Sequence, residues 1–427
     1  MQHWRKVLAI SLVFHSVSWG NDEDLPSANL WSGQGFTLGE LFFPHFHALG
    51  VVGDSTVDPS ELAVGVHDPT QNVDLLALEP GMSLRLGDHI EGFITSSYLT
   101  DGTGDFTGGV EEAFLKLTDL PGGFELRGGR FFNRVGFHNA RHPHSWDYLD
   151  QNLVNGRLLQ EGELVTVGGE ITWYLPTRFP AAFSISIGAP PSGHGHGDEH
   201  EHEDEHEDEH EDEHEDEHED EHEDEDHGSS PYEFVSEEAN FDDYVVSANL
   251  LASWHYNDFH KFTGVAHFTM GENGMGRDTQ IYGLGLEYLW RENGLEAGGR
   301  SFRWVSEVMY RRYEATEWPL PDPLVPDYDG RPLYSDDVLK FDDFGFYTSA
   351  TYHINDHWDA SLRAEYVENL DKFTDRWRVS PAVTWSLNRD RNFFMRLQYN
   401  FDHDSELGKE HGAWLGFGIN WGGSEVR

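Results

Sequence analysis

The 427-residue sequence predicts an all-β fold: an antiparallel transmembrane β-barrel of about sixteen strands (range 14–18) with long external loops. Three observations carry this. Many runs alternate apolar and polar side chains with a period of two, the pattern of a strand whose two faces meet different surroundings. Aromatic residues make up 14% of the chain although mean hydropathy is only −0.59, as expected of walls that alternate between lipid and water. The connections between runs alternate short and long. A helical membrane protein would need runs of about 20 apolar residues beyond the N-terminal segment, and the sequence has none. With no Cys, a disulfide framework and thiolate metal sites are both excluded.

From the N-terminus, His3, Arg5 and Lys6 precede a short apolar stretch, Val7 to Phe14, and then the small residues Ser16, Ser18 and Gly20. This pattern predicts a signal peptide over 1–20, a mature chain from Asn21, and one barrel domain over 21–427. Strands are expected at 45–53, 73–87, 88–100, 109–118, 122–132, 163–175, 178–189 and 241–256. Eight more are expected at 259–271, 278–291, 298–315, 341–355, 357–369, 377–389, 392–403 and 411–423. The alternation is clearest late in the chain: Trp377, Val379, Pro381, Val383 and Trp385 oppose Arg378, Ser380, Ala382, Thr384 and Ser386. Aromatics close the ends of the apolar faces, as interface girdles require. The opposite faces carry Arg, Glu and Asn in mid-strand, which a packed soluble core would not accept unpaired. Short turns such as Leu-Gly-Asp and Leu-Pro-Gly-Gly fall on the periplasmic side. The long connections 54–72, 133–162, 190–240 and 316–340 then lie outside.

Residues 194–227 comprise 22 Asp or Glu, ten His and two Gly. The tract lies in an expected disordered acidic loop, 190–240, because like charges repel and no core can be buried. Its histidines are His194, His196, His200, His202, His206, His210, His214, His218, His222 and His227, six of them four residues apart. Imidazole beside carboxylate suits zinc, copper or nickel, so the tract is a candidate metal collector. The alternative is a solvated loop with no ligand.

The third external connection, 133–162, is rich in His138, His142, His144 and Asp147, a candidate first set of ligands for a borderline metal. The competing reading has these side chains pack the loop against the wall. In sixteen-stranded porins the third loop often folds into the lumen. His45 and His47 share one face of the first strand. The inward phase also places Arg303, Glu307, Arg311, Arg363, Glu365, Arg378, Arg396 and Asp402 on the lumen side as candidate pore-lining residues. They offer either ion-paired packing or a transverse field that orients a solute.

The run GVEEAFLKLTDLPGGFELRGGRFF, with GFHNARHPHSWDYLD after it, resembles the family described as zinc-regulated TonB-dependent outer-membrane receptors over about forty residues. The resemblance implies a bacterial outer-membrane barrel serving zinc uptake, and places Arg130, His138, Arg141, His142, His144, Trp146 and Asp147 in the shared motif. A receptor of that kind needs a plug of roughly a hundred residues before a 22-stranded barrel. Only about two dozen residues separate Asn21 from the first strand, so the expected protein is porin-like and lacks a plug domain.

The expected function is therefore a channel in the bacterial outer membrane that aids uptake of a divalent metal, zinc foremost, captured by the outer tract. No cofactor is required; Zn2+ or a similar ion is ligand or solute. The expected partners are outer-membrane lipid and metal ions, with a homotrimer as a candidate assembly. A general or anion-selecting porin and a non-transporting metal binder are the rivals. No nucleophile-elbow spacing supports an enzyme, and the net charge of −50 opposes nucleic-acid binding.

Overall fold

The computed structural model describes residues 41–100, 104–159, 162–191, 240–296, 298–316, 338–368, 375–405 and 408–422. The signal segment and the acidic His tract fall outside the described residues. Sixteen strands form the wall: β1 (Phe42–Ser55), β2 (Val73–Leu86), β3 (Ile90–Thr100), β4 (Phe106–Leu120), β5 (Phe124–Phe132), β6 (Val165–Tyr174), β7 (Ala181–Ala189) and β8 (Val245–Asn257) come first. They continue as β9 (His260–Glu272), β10 (Asp278–Arg291), β11 (Ser301–Thr316), β12 (Val338–Asn355), β13 (Trp358–Glu368), β14 (Asp375–Ser386), β15 (Phe393–Asp404) and β16 (Gly408–Gly422). Every strand expected from the sequence is present, with ends within four residues of the expected positions.

Each strand pairs antiparallel with its chain neighbours, and β1 pairs with β16 from His45↔Gly422 to Ser55↔Gly412, which closes the barrel. Closure leaves the described strands with no free sheet edge, which suits a lipid surround. No helix among the described residues is long and apolar enough to cross a membrane; the crossing elements are strands.

Period-2 alternation sorts the side chains. Outward rows carry exposed Leu284, Leu362, Leu397 and Ile187. Two aromatic rows bound this surface. At the short-turn end Trp254 stacks on Phe262, which meets Tyr288 and then Phe302. At the other end Phe268, Tyr282 and Tyr310 follow one another around the wall. Amphipathic rings belong where one side is apolar and the other wet. Inward rows are polar, with hydroxyl pairs bridging adjacent strands: Thr172 with Ser184 at 2.8 Å and Ser253 with Thr263 at 2.9 Å.

The lumen is where the structure departs from an open channel. Two long connections, 56–72 and 133–164, turn inward. The second begins at Asn133 and ends at Leu164, and Asn139 clamps its base: its Nδ2 donates to the carbonyls of Asn133 (2.7 Å) and Leu164 (3.0 Å), while its Oδ1 accepts from Leu164 N–H. Pro143 opens a 3₁₀ turn over Pro143–Ser145. Within 56–72 lies α1 (Pro59–Leu62), and within 133–164 lies α2 (Leu153–Leu158), capped by Asn152, whose side chain accepts from Asn155 N–H. Val135, Phe137, Val154, Leu158 and Leu159 pack with Val265, Ile281, Val305, Met309 and Tyr347 of the wall. Leu149 packs with Leu49, Leu76, Phe394 and Trp414 on another side. Among the described residues, the third loop fills the lumen at its level, because it carries enough apolar residues to build a core there.

The two inward loops are fastened to each other. The Asp68 carboxylate accepts from Val64 N–H at 2.7 Å, Gly65 N–H at 3.1 Å and Gln151 N–H at 2.6 Å. Gly156 lies where any Cβ would stand 2.5 Å from Val64, so only glycine lets α2 approach the first loop this closely.

Candidate functional site: the loop-filled lumen

The lumen has two chemically distinct halves, and the loop 133–164 lies between them.

The half on β11–β15 is built of arginines. Inward-facing Arg363 and Arg378 both reach Asp150 of the loop, at 2.7 Å and 2.9 Å. Arg378 also binds Asp402 at 2.9 Å. Arg363 also binds Glu365, which accepts from Leu153 N–H at the start of α2. Arg396 donates to the carbonyls of Trp146 (2.8 Å) and Tyr148 (2.7 Å). Arg303 and Arg391 hold Asp147 at 3.1 Å and 3.2 Å. Arg311 binds Asp343 and donates to the Arg157 carbonyl. Glu307 accepts from Phe137 N–H at 3.0 Å and Tyr347 O–H at 2.9 Å. The inward residues named from the sequence thus face the lumen, and their charges are spent on the loop and on one another. Arg311, Arg363, Arg378, Arg396, Glu307, Glu365 and Asp402 are all buried. A cavity of about 30 Å³, room for one water, remains among Phe137, His138, Trp146, Tyr148, Arg303 and Arg363.

The half on β1–β4 pairs carboxylates with imidazoles. A β-bulge in β4 shifts pairing between Thr95↔Glu112 and Ser96↔Val110, so the extra residue Glu111 and its neighbour Glu112 are both buried on the inner side. A second irregularity, where β2 meets β1 at Leu49 and Gly50, changes the inward phase of β2 and brings Glu79 inside. The loop delivers His142 and His144 to these carboxylates. His142 Nε2 donates to Glu112 at 2.9 Å; its Nδ1 lies 2.9 Å from Glu111 and 3.4 Å from Glu79. With both ring nitrogens facing carboxylates, His142 is an imidazolium. Burial alone would make it lose its proton, but Glu111, Glu112 and Glu79 outweigh burial and hold it charged well above the ordinary histidine range. His144 Nδ1 donates to Glu79 at 2.7 Å, and its ring stacks on His47 at 3.6 Å between centroids.

A second cluster adjoins this one. His67, on the first loop, presents Nε2 to Glu111 and to Glu163, each at 3.6 Å. The ligand atoms of Glu79, His142 and His144 lie within 4.8 Å of one another, and so do those of His67, Glu111 and Glu163.

Of the metal ligands proposed from the sequence, the structure brings together His142 and His144. His138 and Asp147 go elsewhere. His138 leans on the Trp146 ring, with centroids 4.7 Å apart, and burial together with the cationic Arg141 holds its pKa well below the ordinary value. Asp147 is claimed by Arg303 and Arg391, whose full charges attract it more than a distant imidazole could. The tract histidines lie outside the described residues. The sequence reading missed Glu79, Glu111, Glu112, Glu163, His67 and Arg391. The adjacent pair Glu111–Glu112 in an otherwise alternating strand was the available signal.

This geometry defines an outer-membrane-type β-barrel. No protein-family profile matches the sequence. An uncharacterized protein of Aquifex aeolicus (strain VF5) is 37% identical over 70 residues, which covers 16% of this chain and only 15% of that protein. The outer-membrane channel DcaP of Acinetobacter baumannii superposes with a TM-score of 0.51 at 8% identity, over 91% of this chain and all of that one, so the two share the fold. An anion-selective porin from Comamonas acidovorans gives a TM-score of 0.48 at 8% identity, over 89% of this chain and 98% of that one.

Proposed function

We propose that this protein is a porin-like channel of the bacterial outer membrane that aids uptake of a divalent metal ion, with zinc the first candidate. The observation that carries this reading is the chain of buried carboxylates and imidazoles along β1–β4 and the inward loop: Glu79, His144, His142, Glu111 and His67. Borderline divalent ions favour such mixed nitrogen and oxygen donors, and an arriving ion would displace a proton from His142 to use its ring nitrogen. The outer tract supplies the capture step, and the sequence resemblance to zinc-regulated outer-membrane receptors points the same way. The loop 133–164 acts as the filter, so passage requires it to shift from the wall. On the opposite side the arginines are neutralised by Asp147, Asp150, Asp343 and Asp402, which speaks against an anion path there.

Single-channel recording in a planar bilayer under a salt gradient tests this. Discrete steps with a cation-selective reversal potential, altered by micromolar zinc, are the expected result. An anion-selective reversal potential would favour a general or anion-selecting porin. A second reading, a surface metal binder with no conductance, is favoured by the apolar packing of Val135, Phe137, Val154 and Leu158 against the wall; an inserted but silent barrel would support it. The assembly is put forward as a homotrimer by analogy with other sixteen-stranded porins. Cross-linking in native membranes that yields monomers alone would reject that.

A further inference from the structure

We propose that His67, Glu111 and Glu163 hold a resident divalent transition-metal ion that staples both inward loops to the barrel wall.

The surroundings of His67 fix its tautomer. Its Nδ1 lies 2.6 Å from the carbonyl oxygen of Leu76. A carbonyl can only accept, so Nδ1 carries a proton and donates it. In the neutral ring Nε2 is then a bare lone pair, oriented as metal-binding histidines are when their other nitrogen donates to a backbone carbonyl. This lone pair faces Glu111 Oε1 and Glu163 Oε1, both at 3.6 Å. Neither oxygen accepts a hydrogen bond, and both are buried. Three lone pairs converging in a buried space repel unless a cation sits among them.

Distance separates the two cations that could do this. A proton on Nε2 would draw one carboxylate to hydrogen-bonding range, roughly 2.7–2.9 Å for a charged pair, and 3.6 Å is beyond a hydrogen bond. Both carboxylates stand off equally. Two ligands each about 2.1 Å from one tetrahedral ion lie about 3.4 Å apart, close to the separation seen on both sides. Charge points the same way. Glu79, Glu111, Glu112 and Glu163 crowd together here against the imidazolium of His142, so a divalent ion brings the cluster closer to neutrality than a proton on His67 does. With three protein ligands, a fourth position stays open to water.

The ligands come from three separate elements: His67 from the loop between β1 and β2, Glu111 from the β4 bulge, and Glu163 from the end of the loop that leads into β6. One ion would therefore tie two inserted loops to the wall. Glu111 also reaches His142 through its other oxygen, so the ion would sit next to the imidazolium cluster without replacing it. This assignment does not depend on passage of ions through the barrel.

The test uses the full-length protein, stripped with chelator and reloaded with stoichiometric Zn2+. Anomalous diffraction at the zinc edge is expected to give a peak about 2.1 Å from His67 Nε2 and both carboxylates. Zinc is expected to raise the unfolding temperature of the wild type. Both effects should vanish in His67→Ala and in the near-isosteric Glu163→Gln, which guards against a variant that fails to fold. All of these proteins retain the outer tract, so its own zinc binding cancels in the comparison. Density found only at Glu79, His142 and His144 would overturn the proposal. So would a peak that survives both substitutions, or a thermal effect unchanged by Glu163→Gln, which would place the stabilising ion elsewhere. A barrel that is silent in a bilayer yet keeps the peak would sink the channel reading and leave this site standing.

Discussion

Single residues decide how firmly the loop is held, and Asp147 is the clearest case. Burial would raise its pKa, but Arg391 and then Arg303 outweigh burial and hold its carboxyl well below the usual carboxylate range. A carboxylate depressed in the folded state contributes stability in full above its unfolded pKa, about 3.9, and loses that contribution as pH falls below that value. Asp147→Asn removes the charge and keeps the shape. We expect it to cost about 2 kcal/mol at pH 7, the scale of charge-assisted hydrogen bonds, rather than more, because Arg303 keeps Glu287 and Arg391 keeps Asp359. Thermal unfolding followed by circular dichroism in detergent checks this. The gap from wild type should be widest at pH 7 and should shrink below about pH 4. An equal gap at pH 7 and pH 2.5 would mean that Asp147 acts through packing alone. The buried arginines obey the complementary rule: removing one partner strands the other, so Arg378→Met should be far more harmful than changes at exposed Arg312.

At the scale of elements, the inward loop is the part with a choice of positions, and Gly136 sets its course. Its φ is +64°, and a Cβ there would stand 1.7 Å from Glu307 Oε1. Alanine would meet the left-handed penalty of about 1–2 kcal/mol and would also displace the carboxylate that receives Phe137 N–H. We expect Gly136→Ala to loosen the loop and leave the barrel intact. Limited trypsin digestion of the inserted protein should then cut after Arg141 or Arg157 several times faster, while heat-modified mobility on gels stays that of a folded barrel. Unchanged cleavage would show that the loop absorbs the extra methyl. The same contrast explains what the sequence could disclose. Strands such as β13 and β14 were legible because alternation is a local property, readable within a dozen residues. The inward phase of Arg363, Arg378 and Arg396 followed from it. Their targets did not, since Asp150 lies 228 positions from Arg378 and only the path of the loop unites them. Glu79 and Glu111 stayed hidden for a different reason: β-bulges change the inward phase midway along β2 and β4, and a period-2 reading assumes that it never changes. Asp147 was misassigned because a His-rich context suggests a ligand, whereas the decisive neighbours, Arg303 and Arg391, sit far along the chain.

For the whole molecule, charge distribution is the organising quantity. The acidic His tract supplies 22 of the chain's 78 acidic residues with no Lys or Arg among them. Within the barrel one set of acidic groups faces guanidiniums on β11–β15 and another faces imidazoles on β1–β4. In the proposed reading the tract's field raises the local concentration of divalent ions, and its imidazoles favour zinc-like ions over magnesium or calcium. If capture and passage are separate steps, they should separate by mutation. Deleting 194–227 should lower zinc accumulation by cells severalfold at limiting zinc and leave it unchanged when zinc is abundant. Single-channel conductance in high salt should be unaffected, because the wall and both inward loops are retained. Substituting Glu79→Gln together with His144→Ala should do the reverse: zinc binding by the tract persists, while accumulation falls at every zinc concentration. Cells measured across a zinc series with inductively coupled plasma mass spectrometry would resolve the two patterns. If the tract deletion and the lumen substitutions gave the same loss at high zinc, capture and passage would be one step, and the barrel would be better described as the anchor of a surface metal binder than as a route through the membrane.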